Sequence, residues 1–152
     1  MDLDARKRVY NQLREDEGVE FKIYLDHLGY PTFGVGHLIT ENDPEREEEV
    51  GTRVREERVQ QAFDQDLDIA ISECKALYRE DAWEAFPSEV QEILVNMMFN
   101  MGRTRLSGFR KFNAAILKKH WKEAGIEGRD SRWYDQVTNR AERLMSRMDA
   151  VV

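Results

Sequence analysis

The feature that most limits the fold is an apolar stripe of helical period in the middle of the sequence. From about residue 55 to residue 78, apolar side chains recur every three or four positions, at Val59, Ala62, Phe63, Leu67, Ile71 and Cys74. This spacing predicts one long amphipathic helix. A second helical pattern over residues 3–16 stops before Gly18. A third covers residues 90–101, is rich in methionine and is apolar on nearly all faces in its later part. These patterns predict a mostly helical chain with the third helix buried as core.

One segment departs from the helical pattern and predicts β structure. Apolar and polar residues alternate over residues 19–24, which places Phe21 on the buried face of a strand. A turn signal follows at residues 26–29, and residues 30–36 return as a second strand. Pro31 lacks an N–H group, so this strand is expected to be short or at an edge. The fold class is therefore predicted as α+β, with a β-hairpin or short antiparallel sheet.

Two other segments carry local signals. Residues 41–50 are acidic and nearly without core-forming side chains, which predicts a solvated loop with one helical turn after Pro44. Ser88 and Gln91 have the spacing of a capping box at the start of the methionine-rich helix.

The chain offers no convincing metal site or reactive thiol. Asp64, Asp66 and Asp68 resemble the start of a calcium loop, but there is no glycine at the sixth position and no glutamate at the twelfth. Cys74 is the single cysteine and lies on a helix face, which favours a buried, inert thiol over a reactive one. We therefore expect neither a metal nor a cofactor.

Charge is spread unevenly along the chain. The net charge of −7 consists of −8 in residues 1–66, −5 in residues 67–100 and +6 in residues 101–152. This asymmetry is compatible with steering an anionic polymer towards the C-terminal part, and equally with an ordinary uneven surface. The acidic balance and the lack of a basic stripe with interleaved aromatic residues exclude a nucleic-acid-binding module.

The compartment can also be anticipated. No apolar run is long enough for a bilayer span, so stable membrane insertion is not expected. The first eight residues show no signal-peptide pattern, and a single cysteine suits a reducing cytoplasm.

A pair of carboxyl groups supplies the most interesting chemistry. Glu17 is expected at the end of the first helix, where the helix dipole favours the protonated acid, and Asp26 in the hairpin turn. Two carboxyl groups facing each other can hydrolyse a glycoside, one as proton donor and the other by activating water. Spacing alone is a weak signal, because the chain has 30 acidic residues.

The motif around this pair resembles a known family. Glu17, Asp26 and Thr32 form the pattern Glu-x8-Asp-x5-Thr, followed by Gly-x-Gly-His at residues 34–37, and this resembles the catalytic signature of the lysozymes of T-even bacteriophages. The similarity continues in order through residues 63–68, 96–102, 131–136 and 139–141. It covers about residues 12–148.

The resemblance implies a two-lobed lysozyme-like fold within a single domain of residues 1–152. It assigns a small α+β lobe to about residues 18–54 and an interlobe helix to about 55–79. A helical lobe would cover about 80–152 and include the N-terminal helix of about 3–17, with the sugar chain bound between the lobes.

The resemblance also implies a reaction. The family hydrolyses the β-1,4 bond between N-acetylmuramic acid and N-acetylglucosamine with inversion. Glu17 would be the general acid, and Asp26 and Thr32 would place and activate the water.

Further roles are implied position by position. Arg140 matches an arginine that pairs with the catalytic glutamate. His37 and Asp66 match an ion pair that supports stability, in preference to a catalytic base at His37. Leu38 and Phe99 match substrate-contacting positions, although Phe99 can equally be read as core.

Some positions depart from the family pattern. Phe112 and Glu127 stand where the family has a serine and an asparagine that contact substrate, while Asn100 and Val137 replace a glutamine and a threonine. These departures leave the predicted catalytic set intact but put the sugar subsites in doubt.

These observations favour a monomeric phage endolysin that degrades bacterial peptidoglycan. It is expected in the host cytoplasm until lysis, when a holin-type pore former would give it access to the periplasmic wall. The alternatives are a virion-associated lysozyme that acts at entry, which a chain of this length disfavours, and a catalytically silent peptidoglycan-binding module suggested by Phe112 and Glu127.

Overall fold

The computed structural model describes residues 1–152, which divide into two compact units. We call Arg6–Ile69 the sheet unit, and Met1–Ala5 together with Ala70–Val152 the helical unit. Eight α-helices and one three-stranded antiparallel sheet make up most of the chain. The prediction of a mostly helical α+β fold is therefore confirmed. None of the helices has both the length and the apolar character that crossing a bilayer requires.

The elements follow one another along the chain with short connections. In order they are α1 (Leu3–Glu17), β1 (Glu20–Leu25), β2 (Pro31–Gly34), β3 (His37–Leu38), a 3-10 turn (Pro44–Glu47), α2 (Glu56–Tyr78), α3 (Glu80–Ala85), α4 (Ser88–Ser107), α5 (Arg110–Leu117), α6 (Trp121–Arg129), α7 (Arg132–Gln136) and α8 (Thr138–Asp149). The boundary between the units falls within α2, after Ile69. Most of α1 groups with the sheet unit, whereas the resemblance implies that it belongs to the helical lobe. The division into functional lobes stays a prediction.

The sheet has the strand order β1-β2-β3, so β2 is its central strand. Of the two predicted alternatives, a short strand or an edge strand, the structure has the first: β2 is four residues long and is not at an edge, because β3 pairs with its other side. Pro31 is tolerated because it is the first residue of β2 and uses its carbonyl oxygen, which accepts from the Ile39 N–H at 3.0 Å.

The strand β1 is irregular, and this corrects the predicted burial of Phe21. Its pairing with β2 shifts register between Glu20 and Tyr24. On its other side the Val54 N–H donates to the Phe21 carbonyl at 2.8 Å, although residue 54 lies outside any strand. Because the irregularity interrupts the alternation, Phe21 is exposed while Ile23 remains buried.

One hydrophobic cluster of the sheet unit lies between the sheet and the first turns of α2. It consists of Ile23, Phe33, Val54, Val59 and Ala62, with Val19 and Ile39 packed against them. At Gly34 the backbone has a φ of +64°, and a Cβ there would lie 3.1 Å from Val59 Cγ1. Glycine thus permits both the turn after β2 and the close approach to α2.

The helical unit is organised around α4. Ile93, Leu94, Val95 and Met97 have no exposed surface, so the predicted buried helix is confirmed. Gly102, with a φ of +78°, interrupts the helix, and a further helical stretch continues to Ser107. Cys74 is buried in this unit, and burial raises its pKa to about 12, in keeping with an inert thiol.

The predicted capping box at the start of α4 is absent. Pro87 occupies the cap position, and the Gln91 side-chain amide donates to the Trp83 carbonyl oxygen at 2.7 Å instead of capping α4. Trp83 belongs to α3, a short helix that the sequence analysis did not predict. The glutamine therefore links two helices.

Candidate active site

A row of three side chains crosses the sheet on the face opposite the core. Tyr24 pairs with Thr32 in the β1–β2 register, and Thr32 pairs with Leu38 in the β2–β3 register. Directly paired residues project on the same side of an antiparallel sheet. Leu38 is 49% exposed and Thr32 only 3% exposed, so the row runs from an open apolar edge to a sheltered hydroxyl.

Asp26 lies directly after β1, two residues beyond Tyr24, and its carboxylate is held by the turn. Its Oδ1 accepts from the backbone N–H groups of Leu28 at 2.9 Å and Tyr30 at 2.8 Å. The Asp26 N–H and the Tyr30 carbonyl oxygen close the turn at 2.9 Å. This Asx-turn geometry fixes the carboxylate while Oδ2 makes no hydrogen bond within the chain.

The Thr32 hydroxyl is oriented by the same turn. It donates to the carbonyl oxygen of Tyr30 at 2.9 Å. Because its one hydrogen is committed to that bond, the oxygen can act only as an acceptor towards any further group. Thr32 and Asp26 therefore both present acceptors, and both are positioned through Tyr30.

Glu17 is the last residue of α1, and Gly18, with a φ of +77°, ends the helix. A Cβ added at Gly36 would lie 4.0 Å from the Glu17 Cβ, which places the glutamate beside the Gly-x-Gly segment. Burial raises the pKa of Tyr24, and the negative charges of Glu20, Asp26 and Glu17 raise it further. The structure thus brings both predicted catalytic carboxylates within the electrostatic reach of one phenol.

His37 is hydrogen-bonded at both ring nitrogens. Its Nδ1 lies 2.8 Å from Asp66 Oδ2 and its Nε2 lies 2.9 Å from Asp43 Oδ2. Ionised carboxylates only accept, so satisfying both bonds requires an N–H at each nitrogen, which is the imidazolium form. Burial lowers the pKa of His37, but the hydrogen bonds and charges of Asp66 and Asp43 outweigh that effect and raise it overall. This environment disfavours a role for His37 as a base.

The sequence did not predict the burial of Asp43 or its pairing with Arg58. The predicted solvated loop over residues 41–50 is wrong at Asp43 and Glu45, whereas the other eight residues are exposed and the predicted helical turn after Pro44 is present as a 3-10 turn. Asp43 and Glu45 are buried, and Arg58 on α2 donates to both, at 3.0 Å to Asp43 Oδ1 and 2.9 Å to Glu45 Oε2. The Thr40 N–H also donates to Asp43 Oδ2 at 2.8 Å. The Thr-x-x-Asp spacing was the only local signal for this arrangement; the partner on α2 lies fifteen residues away.

Comparison with known proteins assigns the chain to a family. The model of the phage lysozyme family matches residues 14–150, which is most of the chain. The chain belongs to the phage lysozyme family. This is a family of glycoside hydrolases, and membership supports hydrolysis of peptidoglycan.

Relatives within and beyond phages share this similarity. Probable T4-type lysozyme 2 of Dictyostelium discoideum is 30% identical over 90% of this chain and 90% of its own length. The pre-baseplate central spike protein Gp5 of Enterobacteria phage T4 is 30% identical over 87% of this chain, which spans only 26% of that protein. The peptidoglycan hydrolase gp36 of Pseudomonas phage phiKMV is 32% identical over 94% of this chain, which spans 16% of it.

The remaining residues predicted from the resemblance to the phage lysozyme family lie in the helical unit. Phe99 on α4 is half-buried, which is compatible both with a core position and with contact to substrate. Arg140 on α8 donates from Nε to Asn96 Oδ1 at 2.9 Å. The roles of both residues, including the pairing of Arg140 with Glu17, stay predictions.

Two residues that depart from the phage lysozyme pattern have structural roles. Phe112 is only 1% exposed and packs edge-to-face against Phe109, so it is a core residue. Asn100 accepts a hydrogen bond from Trp133 Nε1 at 2.7 Å, which is a structural use of its side chain. Phe112 therefore gives little support to a silent, altered binding site.

Proposed function

We propose that this chain is a phage endolysin that cuts the β-1,4 bond between N-acetylmuramic acid and N-acetylglucosamine with inversion. The observation that carries the proposal is the arrangement at the hairpin. Asp26 is anchored through Oδ1 with Oδ2 unoccupied, and Thr32 offers only acceptor capacity beside it. Glu17 belongs to the same electrostatic neighbourhood.

The chemistry follows from what each group offers. A water that donates one hydrogen to Asp26 Oδ2 and the other to Thr32 Oγ1 has a lone pair directed away from both, towards the sugar. Asp26 takes the proton as this water attacks the anomeric carbon. Glu17 protonates the leaving glycosidic oxygen, so the bond breaks without releasing an alkoxide. Attack by water without a covalent sugar–enzyme intermediate inverts the configuration.

Substitution of the two carboxylates tests the proposal. Glu17→Gln and Asp26→Asn are each expected to lower wall hydrolysis about 10²- to 10⁴-fold with unchanged thermal unfolding, because each removes a proton-transfer group. Glu20→Gln is the matched control, since Glu20 also acts on Tyr24 but has no assigned role, and its activity should stay within about twofold of the unsubstituted chain. Lysis retained by both catalytic variants overturns the mechanism.

The products test the bond and the stereochemistry. Muropeptide analysis after digestion should give reducing N-acetylmuramic acid ends, and the first-formed anomer should be α. An anhydro ring would identify transglycosylation instead, and a β-anomer would require a covalent intermediate.

The biological role is part of the same proposal. The enzyme would accumulate as a monomer in the host cytoplasm and reach the periplasmic wall through a holin-type pore former. Expression together with a pore former should cause rapid lysis of the host, and expression without a pore former should cause none. Lysis without the pore former contradicts this route, and a dimer in size-exclusion chromatography contradicts the monomeric state.

A second candidate is a virion-associated lysozyme that acts at entry. It is favoured by the similarity to the central spike protein of phage T4, of which the chain covers 26%. Mass spectrometry of purified particles decides between the two roles, since an endolysin should be absent from them. A third candidate, a silent wall-binding module, predicts no clearing in a turbidity assay on permeabilised Gram-negative cells.

A further inference from the structure

The helical unit contains a stretch in which every charge is positive. Residues 93–122 hold seven Lys and Arg and no Asp or Glu, in a chain whose net charge is −7. All seven side chains are solvent-exposed. They are Arg103, Arg105, Arg110, Lys111, Lys118, Lys119 and Lys122.

Only the first two of these cations, Arg103 and Arg105, have partners within the chain. Arg103 pairs with Glu73 at 2.9 Å, and the Arg105 guanidinium donates to Gln136. The nearby acid Glu123 bonds to His120 at 3.2 Å. The five remaining cations, from Arg110 to Lys122, have no partner within the chain.

The helix α5 gathers three of these cations on one face. At about 100° per residue, the exposed residues fall within an arc of about 120°. They are Arg110, Lys111, Ala114, Leu117 and Lys118. The opposite face, with Phe112, Ala115 and Ile116, is buried. Leu117 is 47% exposed, so an apolar side chain lies within the cationic surface.

The surface continues past the end of α5. Lys119 adopts a φ of +60° and turns the chain, and Lys122 follows in the first turn of α6. We call Arg110, Lys111, Leu117, Lys118, Lys119 and Lys122 the α5 surface.

We propose that the α5 surface binds the stem peptides of peptidoglycan through their free carboxylates. The inference rests on the proposed function, since it takes the wall as substrate. Stem peptides combine carboxylates with alanine methyl groups, which match cations spaced about 10 Å apart on a helix with Ala114 and Leu117 between them. The α5 surface would give an acidic enzyme a local attraction to an anionic polymer.

The expected interaction is weak at each contact and strong in sum. A single exposed ion pair contributes little and is screened by salt. A wall presents many stem peptides at high local density, so several weak contacts made together lower the dissociation rate. Binding to intact wall should therefore fall steeply with ionic strength, whereas contacts at the catalytic sugar should not.

The test measures binding separately from hydrolysis. In a Glu17→Gln background, which is expected to leave the wall uncut, the double variant Lys111→Glu/Lys118→Glu should bind purified sacculi at least tenfold more weakly at 50 mM salt, with a shallower salt dependence. The matched control is Arg53→Glu/Arg55→Glu, which makes the same change in net charge at two exposed cations of the sheet unit. Equal losses in the two variants would mean that only net charge matters and would overturn the proposal.

The chemistry of the partner is tested with altered substrates. Removal of the stem peptides from the sacculi with an amidase should lower binding by the parent to the level of the double variant; unchanged binding contradicts the proposal. With Glu17 restored, the double variant should cut peptide-free glycan strands at the parental rate but intact sacculi more slowly. A failure of the proposed function would instead abolish cutting of both substrates while leaving the binding result readable.

A membrane is the other anionic surface that such a helix could meet. If the double variant loses affinity for vesicles containing phosphatidylglycerol but binds sacculi like the parent, the assignment to stem peptides is wrong. The milder variant Lys111→Gln/Lys118→Gln guards against a folding defect and should give an intermediate loss.

Discussion

In the sheet unit, acidic side chains turn inward onto a histidine and an arginine. In the helical unit the interior is mostly apolar, with Glu92 as its one buried carboxylate, and unpaired cations lie at the surface. The inward group consists of His37, Asp43, Glu45 and Arg58, whose side chains are at most 16% exposed. The interior of the helical unit is built instead from α3 and α4, with Trp83, Ile93 and Leu94 fully buried.

The difference follows from how much apolar surface each unit can bury. The sheet is short, and the sheet unit contains ten buried hydrophobic side chains, against 23 in the helical unit. An ionic cluster can hold a loop on such a unit, provided that every charge is paired, because an unpaired buried charge is very costly. Between pH 5.5 and 8.5 the stability of the sheet unit should therefore change with pH. The helical unit should not change in this range, because hydrogen bonds from Arg129 and Tyr134 lower the pKa of its carboxyl group Glu142.

The largest expected effect is in the helical unit. Trp83→Ala should lower the free energy of unfolding by about 3–5 kcal/mol, because it empties a fully buried volume next to Phe86. Denaturant unfolding at pH 5.5 and 8.5 should give the same loss. Trp83→Phe is the control, because it keeps an aromatic ring and removes an indole N–H that has no acceptor. It should lower the free energy of unfolding by clearly less than Trp83→Ala does. A loss for Trp83→Ala that changes with pH would break the contrast between the units.

The next effect is in the sheet unit. His37→Gln should lower the free energy of unfolding by about 2–4 kcal/mol at pH 5.5, because it leaves two carboxylates without their shared cation. The raised pKa of folded His37 means that its contribution is complete below the ordinary value of 6.5 and is lost as pH rises through the folded value. The difference between His37→Gln and the parent should therefore shrink by pH 8.5.

The same cluster sets an acid limit. Burial raises the pKa of Asp43, but its hydrogen bonds from Thr40 and His37 and the charge of His37 outweigh burial and lower it below 3.8. Its contribution is present above that ordinary value and lost as pH falls through the folded one. The cluster should thus stabilise most between about pH 4 and 6.5. An equal loss for His37→Gln at pH 5.5 and 8.5 would contradict the ionic account.

The smallest expected effect concerns an exposed ion pair of the sheet unit, which can be compared with the buried ionic cluster of the same unit. Arg6 and Asp68 form an exposed ion pair at 2.9 Å. Asp68→Asn should change the free energy of unfolding by less than about 1 kcal/mol, and 1 M salt should remove most of that change. A loss as large as that of His37→Gln would show that burial is not what distinguishes the two kinds of pair.

Patterns that repeat along the chain made the long elements predictable. The apolar stripe predicted α2, and Gly18 predicted the end of α1. The strand predicted to run to residue 36 ends at Gly34 instead, because Gly34 and Gly36 both adopt positive φ and form a turn before β3. In each case the signal and the structure involve neighbouring residues.

Features that depend on distant partners were not predictable. Asp43 looked like one more solvated acid, because Arg58 and His37 become its neighbours only in the folded chain. The strand β3 is too short for a periodic pattern. Phe21 obeys the alternation in sequence but is exposed where the register of β1 shifts.

The candidate site divides along the same line. Residue types and spacing gave only a weak signal for Glu17 and Asp26, and the resemblance singled out these two with Thr32 and gave them roles. The part played by Tyr30, whose N–H holds Asp26 and whose carbonyl oxygen holds Thr32, follows only from coordinates because backbone groups leave no mark in a sequence.

The tip of the β1–β2 hairpin carries a consequence for engineering. Exposed turns are ordinarily the places where extra residues are tolerated. Here the backbone N–H groups of Leu28 and Tyr30 donate hydrogen bonds to the carboxylate of Asp26. A peptide tag inserted after Leu28 would widen the loop and break these hydrogen bonds. The resulting protein would fold but lack hydrolytic activity. An exposed loop of a kind that usually tolerates insertion would thus be required for catalysis.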